Sequence, residues 1–164
     1  MKNLSITLIA FFIVLTSCAK TPTTGYNVFY KEYRDTPHTI TFKIPGAFAG
    51  MFLDDEDKEV KEFVKKMDNV SFFVAENVSK QMIIDLNKSL PESLYKEIMI
   101  INSGAKAEVI FLARDNGDVI EEIVMTVIDD NELVVMCMYG EFTRDDAKKI
   151  VNAIEVDDAI KMGN

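Results

Sequence analysis

The chain has 164 residues, of which 48% are hydrophobic and 27% charged, and its formal net charge at pH 7 is −9. This length and apolar content suit one globular domain with its own core. The acidic charge and the lack of a basic patch in the sequence argue against nucleic acid as a partner, because phosphates would be repelled.

The first 17 residues have the features of a lipoprotein signal peptide. Lys2 supplies a positive charge, and the largely apolar run 4–15, "LSITLIAFFIVL", follows it. As a helix this run would span about 18 Å, whereas the core of a bilayer is about 30 Å thick. The run is therefore too short for a membrane span and has the length of a signal-peptide core.

The run ends in "LTSC" at Cys18, which resembles the lipobox of bacterial lipoproteins: a branched apolar residue, two small residues and a cysteine. The resemblance implies cleavage before Cys18, a diacylglyceryl group on its thiol and acylation of its new amino group. The alternative is a chance cysteine beside a conventional cleavage site. Two or three acyl chains would hold the protein on a membrane, whereas one chain binds only marginally.

Cleavage would remove Lys2 and no acid, so the net charge would change from −9 to −10. Lipid on Cys18 would also leave Cys137 without a disulfide partner, since the chain has two cysteines. Cys137 lies in the apolar segment "ELVVMCMYG" and is expected to be a small buried hydrophobic residue.

Residues 18–37 are predicted to be a lipidated tether followed by an aromatic segment. "AKTPTTG" is small, polar and punctuated by proline and glycine. In "YNVFYKEYRDTPH", Tyr26, Phe29, Tyr30 and Tyr33 share one helical face. The segment is expected to dock on the domain through these rings; contact with the water–lipid interface and disorder are the alternatives.

Residues 38–164 are predicted to form a single α+β domain. "HTITFKIP" alternates as a half-buried strand, a helix follows the acidic run 54–57, and "NVSFFVAE" is a second strand. Asn77 is a plausible N-cap for the next helix, and Pro91 suits the start of further helical turns in "PESLYKEIMI".

Three strands and a closing helix follow. "AEVIFLARD" and "VIEEIVMTVI" flank an Asn-Gly pair typical of a type I′ hairpin, and "ELVVMCMYGEF" is the third strand. Thr143 and Asp146 form a capping-box pattern at the start of the last helix.

The fold class predicted from this order is α+β, with two layers and a mixed or mostly antiparallel sheet of about five strands. Its parts are a βαβ unit, a helix pair, a three-strand meander and a C-terminal helix. The first two strands are expected to be parallel and joined by a right-handed crossover.

The pattern resembles the domain-of-unknown-function 4252 family of small bacterial lipoproteins. The segments that carry the resemblance are "ITFKIPGAF", "DEDKEVKEFVKKMDNV" running into "SFFVAEN", and "VMCMYGEFTRDDAKKIV". They lie within residues 38–155. The resemblance implies an envelope lipoprotein whose activity is not established, and it transfers no active-site residue to this chain.

The sequence contains no catalytic or metal-binding signature. The single histidine, His38, is expected to be a solvated residue at a strand start. A calcium loop starting at Asp55 fails because Val60 occupies the position that requires glycine. Nucleophile-elbow and glycine-rich phosphate motifs are missing. We therefore expect no enzyme activity, no catalytic residue, no metal and no cofactor; a hydrolase with unmarked carboxylates is a minor alternative.

The meander strands are apolar on both faces, although a strand with one wet face should alternate. Either helices cover both faces, or one face is an apolar surface for a partner, a second copy or lipid. The candidate interaction face comprises Ile110, Leu112, Val124, Ile128, Val134, Met136 and Met138.

These observations predict a non-enzymatic binding, interaction or sensing module anchored to the cell envelope through acylated Cys18. Its partner would be an unknown envelope protein or a second copy. The alternative is a carrier of an apolar small molecule or lipid in a cavity between sheet and helices. Ala19 does not match the inner-membrane retention aspartate, and 19–24 lack an acidic run, so the periplasmic face of the outer membrane is the expected location.

Overall fold

A computed structural model describes residues 25–49, 58–103, 107–129 and 131–153. They form an α+β fold around one six-stranded sheet in the order β1-β2-β6-β5-β4-β3, with every neighbouring pair antiparallel. The strands are β1 Thr39–Pro45, β2 Met67–Glu76, β3 Lys96–Ser103, β4 Ala107–Asp115, β5 Ile120–Asp129 and β6 Glu132–Phe142. The helices are α1 Tyr26–Tyr33, α2 Gly46–Ala49, α3 Lys58–Lys65, α4 Lys80–Ser89 and α5 Arg144–Ala153.

The predicted parallel pairing of the first two strands is wrong, because β1 and β2 are antiparallel. Pro45, the last residue of β1, lies opposite Asn69 near the start of β2. The connection therefore leaves and returns at the same end of the sheet and needs no crossover. Gly46 permits this return, since a Cβ there would clash with the Met67 carbonyl oxygen.

The predicted second helix of the helix pair is also wrong. Pro91 begins a turn in which its carbonyl accepts hydrogen bonds from the amides of Leu94 and Tyr95. The chain then enters β3, which pairs with β4. Its apolar run 98–101 contains three isoleucines, and β-branched residues favour strands. This strand raises the count from about five to six.

Two local predictions differ from the structure in detail. Ser79 caps α4 by accepting a hydrogen bond from the Met82 amide at 3.1 Å, whereas Asn77 lies outside the helix at a φ of 58°. The β4–β5 hairpin forms, but only Gly117 of the Asn-Gly pair has a positive φ. The turn is therefore longer than type I′, with the Asn116 amide bonded to the Val119 carbonyl.

Helices pack on both faces of the sheet, so the described fold has three layers and not the expected two. The helix-1 face carries α1 and α4, and its core includes Phe29, Leu86, Phe73, Val124 and Val135. The helix-5 face carries α3 and α5, and its core includes Phe63, Ala147, Val70, Ile123 and Met138. Sheet residues Val109, Phe111, Met125, Val127 and Val134 form a further cluster on the helix-5 face.

The predicted capping box at the start of α5 is confirmed. The Thr143 amide donates to Asp146 Oδ2 at 2.8 Å, and the Asp146 amide donates to Thr143 Oγ1 at 3.1 Å. Lys66 Nζ, which lies between α3 and β2, also contacts Asp146 Oδ2 at 2.7 Å. Burial alone would raise the pKa of Asp146, but the bonds from Lys66 and Thr143 outweigh it and lower the pKa to about 2.

We expect Asp146→Asn to lower the free energy of unfolding by about 1–2 kcal/mol at pH 7. Because the pKa of Asp146 is lower in the folded state, its contribution is present above about pH 4 and is lost as the pH falls towards 2. Urea unfolding between pH 5 and pH 2 should therefore show a weaker pH dependence for this variant than for the natural chain.

Asp145→Asn is the matched control, since the side chain of Asp145 is 87% exposed and lies 3.8 Å from Lys148. Its effect should stay below about 0.5 kcal/mol. Equal losses in the two variants would contradict the capping-box account.

Candidate functional site

A buried polar cluster lies on the helix-1 face beneath the start of α1. We call it the Glu122 cluster; it comprises Glu122, Arg114, Tyr95 and Cys137. Arg114 Nη2 contacts Glu122 Oε2 at 2.9 Å, the Tyr95 hydroxyl donates to Glu122 Oε1 at 2.9 Å, and the Cys137 thiol donates to the same oxygen at 3.3 Å. Glu122 is only 1% exposed, so its carboxylate is a fully buried acid with three partners.

The register of the sheet brings this cluster together. Arg114 on β4 lies directly opposite Glu122 on β5, and Glu122 lies opposite Tyr139 on β6. Cys137 precedes Tyr139 by two residues and therefore points to the same face. Tyr95 comes from the turn before β3, so the cluster joins three strands and one connection.

The N-terminal helix closes over the cluster. The amide of Tyr26 donates to the Tyr95 hydroxyl at 3.2 Å, and the Gly25 amide donates to the Ser89 carbonyl at 2.8 Å. Gly25 has a φ of 102°, and a Cβ there would lie 3.2 Å from the Tyr95 hydroxyl and 3.3 Å from Arg114 Nη1. Glycine is therefore the residue that lets the chain enter α1 so close to the ion pair.

Aromatic packing fixes the rest of α1. The ring of Phe29 meets that of Phe73 edge-on at 5.0 Å, and the Lys43 ammonium lies 4.6 Å from the centre of the Tyr30 ring. The Tyr33 hydroxyl donates to Asp85 at 2.8 Å, and burial together with this bond raises the pKa of Tyr33 to about 12. Docking through the aromatic residues, expected from the sequence, is thus what the structure shows.

The groups of the Glu122 cluster have the properties of a structural core and not of a reactive site. Cys137 has no exposed surface. The pKa of its thiol is raised, mainly by burial and to a lesser extent by the charge of Glu122. Burial and the same charge also raise the pKa of Tyr95. A reactive cysteine needs exposure and a lowered pKa, so this thiol has neither property of a nucleophile.

Several buried oxygens beside the cluster have no hydrogen-bond partner among the described residues. They include the hydroxyls of Tyr26, Ser71 and Tyr139. Tyr26 lies next to Ser71, and Tyr139 lies next to Cys137. Among the described residues, none of these three hydroxyls bonds to Glu122 or to an α1 amide, whereas the Tyr95 hydroxyl bonds to both.

A second notable feature is an apolar strip on the helix-5 face, formed by the exposed side chains of Ile40 and Phe42 and the partly buried side chains of Phe72 and Val74. Ile40 is 66% exposed and Phe42 is 45% exposed. The rings of Phe42 and Phe72 stack at 4.6 Å, and Ile40 lies opposite Val74. The alternation in β1 predicts burial of these side chains. Instead, the apolar side of β1 points away from α1. Lys43, on the other side of the strand, contacts the Tyr30 ring of α1.

The seven residues of the predicted interaction face do not share one face. The register places Ile110, Leu112, Val124 and Ile128 on the helix-1 face, and Val134, Met136 and Met138 on the helix-5 face. Three of them are buried, with exposures of 0% for Val124 and 4% for Val134 and Met138. They therefore do not form a single exposed surface.

The other predicted positions are distributed as follows. Cys18, the candidate lipid attachment site, lies outside the described residues, as does Asp55. His38 is exposed and has a φ of 61°. Within the described ranges, no three His, Cys, Asp or Glu side chains are grouped to hold a metal ion, and no helix has the length and apolarity needed to cross a membrane.

Sequence reasoning missed the Glu122 cluster, although one signal was present. Glu121 and Glu122 are adjacent in an otherwise apolar strand, and neighbouring residues of a strand point to opposite faces. If helices cover both faces, one of the two acids must be buried and needs a partner. The sequence does not indicate that Arg114 is this partner, because that depends on the register between β4 and β5.

The profile of the family described as "Domain of unknown function (DUF4252)" matches residues 32–150. The chain belongs to this family. The match includes all six strands and most of the helix-5 face. Of α1, only the last two residues fall within the match. Comparison with curated proteins and with solved structures gave no match.

We expect Tyr95→Phe to lower the free energy of unfolding by about 2 kcal/mol, since Glu122 and the Tyr26 amide both lose a partner. Tyr139→Phe is the matched control, because its buried hydroxyl lies beside the Cys137 thiol and makes no hydrogen bond to Glu122 or to α1 among the described residues. This control should be neutral within about 0.5 kcal/mol or stabilising. Urea unfolding measures both, and equal losses would show that the Tyr95 hydroxyl has no special role.

Proposed function

We propose that this protein is a membrane-anchored, non-enzymatic binding module of the cell envelope. Acylated Cys18 would hold it on the periplasmic face of the outer membrane, and the apolar strip on β1 and β2 would contact an envelope protein. The observation that carries the proposal is the exposure of Ile40 and Phe42 on the side of the sheet away from α1.

The strip supports binding because exposed apolar side chains are clustered there. Large aromatic and branched side chains in contact with water stabilise a complex when a partner covers them. Stacking between Phe42 and Phe72 also fixes the ring of Phe42 before a partner arrives, so little side-chain freedom is lost on binding.

The position of α1 supports presentation of this strip away from the membrane. The proposed tether, residues 18–24, joins the domain at Gly25, which lies on the helix-1 face. Seven extended residues reach at most about 25 Å. A domain held from the helix-1 face would turn its helix-5 face, and with it the strip, towards the periplasm.

We expect Cys18→Ser to move the full chain from the membrane fraction to the soluble fraction. The serine variant lacks the thiol that would carry the diacylglyceryl group. Fractionation of cells measures the change of location. Metabolic labelling with a radioactive fatty acid measures the loss of the lipid. Unchanged membrane retention and labelling would contradict the anchor.

We expect Phe42→Asp to abolish capture of the partner from intact membranes while the anchor is preserved. Ile84→Asp is the matched control, because Ile84 on α4 is 46% exposed and Phe42 is 45% exposed, but α4 packs on the opposite face. The control should retain the partner. Capture of the same proteins by both variants, with both still folded by circular dichroism, would contradict a binding role for the strip.

One observation favours the carrier alternative. A groove of about 500 Å³ lies between α2, α3 and the start of β2, lined in part by Gly46, Val64, Lys65 and Met67. This volume lies within the range of small-molecule sites. By contrast, on the other face Tyr26 and Phe29 of α1 and Leu86 of α4 are fully buried against the sheet. A bound lipid detected by native mass spectrometry would support the carrier; a ligand-free chain would count against it.

A further inference from the structure

The two edges of the sheet differ in how they are protected from strand pairing. β3 begins with Lys96 and Glu97, and its ladder is interrupted between Glu97 and Met99. Charged residues and bulges of this kind discourage the addition of another strand. β1 pairs with β2 without interruption from Thr39 to Pro45, and Lys43 is its one charged residue. Lys43 and the terminal Pro45 protect one end of its outer edge, whereas the stretch from Thr39 to Phe42 has no charge, proline or bulge.

We propose that β1 pairs antiparallel with β1 of a second copy of this chain, centred on Phe42, to form a continuous twelve-stranded sheet. In this register Phe42 faces Phe42 of the second copy, Ile40 faces Ile44, and Thr41 faces Lys43. The apolar residues Ile40, Phe42 and Ile44 therefore meet one another, while Thr39 lies opposite Pro45, which has no N–H to donate. The two lysines face threonines and not each other, and β1 contains no acid.

Symmetry favours this arrangement over stacking of two strips face to face. Two antiparallel edge strands in one sheet are related by a twofold axis perpendicular to that sheet. Both α1 helices then lie on the same side of the long sheet, and both proposed anchors reach the same membrane. Face-to-face stacking would place the two α1 helices on opposite outer sides. This argument rests on the proposed function, namely anchoring through Cys18.

Pairing would also enlarge the apolar strip. The side chains of Ile40 and Phe42 stay on the helix-5 face after pairing, because an antiparallel partner preserves the faces of the sheet. The two strips join at the central Phe42 pair and form one surface directed away from the membrane. Confinement of both copies to one membrane raises their effective concentration and offsets the repulsion between two acidic chains.

The test is disulfide trapping in the full, lipidated chain in its own membranes. In the Ile40→Cys, Ile44→Cys double variant, the new thiol at position 40 of one copy faces the new thiol at position 44 of the other. The Cα atoms of these two positions would be about 4.5–5.5 Å apart, within disulfide range. Within one chain the two positions are about 13 Å apart along the strand and cannot be bridged. A copper–phenanthroline oxidant should convert most of the double variant to a covalent dimer.

The single variants Ile40→Cys and Ile44→Cys are matched controls. Each places identical cysteines about 14 Å apart across the twofold axis, so each should stay monomeric. Cys137 is buried and should not react in any of them. A dimer in the double variant alone supports the proposal.

Two results would overturn it: no dimer in the double variant, or equal dimer in the double and single variants. Fractionation of Cys18→Ser tests the anchor without reference to dimerisation. Failure of the anchor and failure of strand pairing are therefore distinguishable.

Discussion

The buried ion pair between Arg114 and Glu122 determines how the N-terminal helix meets the sheet. A carboxylate that is 1% exposed is unfavourable unless its oxygens have partners, and here both do. The Tyr95 hydroxyl extends the pair to the Tyr26 amide. The polar centre of the core therefore fixes the first residue of α1, and with it the point at which the chain leaves for the proposed anchor.

This constraint also decides which side of β1 is exposed. Because α1 packs on the helix-1 face, it meets Lys43 and leaves Ile40 and Phe42 on the other side. The strip is thus a consequence of where α1 docks. The family match covers residues 32–150 and so includes all six strands, while most of α1 lies before the matched region.

Local features were predictable from the sequence, and long-range pairing was not. The aromatic spacing of 26–33, the alternation of 39–45 and the capping box of Thr143 and Asp146 are local patterns, and each element forms. The direction of β2 relative to β1 depends on where the connection returns, which no local pattern specifies. Pro91 is typical of a helix start and so favours a helix in the segment that becomes β3, whereas pairing with β4 decides its structure.

The candidate surface was mispredicted for a related reason. Alternation indicates which residues share a face of one strand, but the register decides which faces of different strands coincide. For this reason Val124 and Met138 lie on opposite faces. Alternation also does not indicate which face is covered, so the exposure of Ile40 and Phe42 could be obtained only from the tertiary structure.

Thiol labelling of the purified lipidated chain, separated from other envelope proteins, tests the central claim most directly, namely that α1 is closed over the sheet and the strip is open. The account predicts that a maleimide does not label Cys137 until the protein is denatured, whereas an Ile40→Cys variant is labelled at once at the new position. Rapid labelling of Cys137 in the natural chain, or a position 40 as protected as position 137, would contradict it.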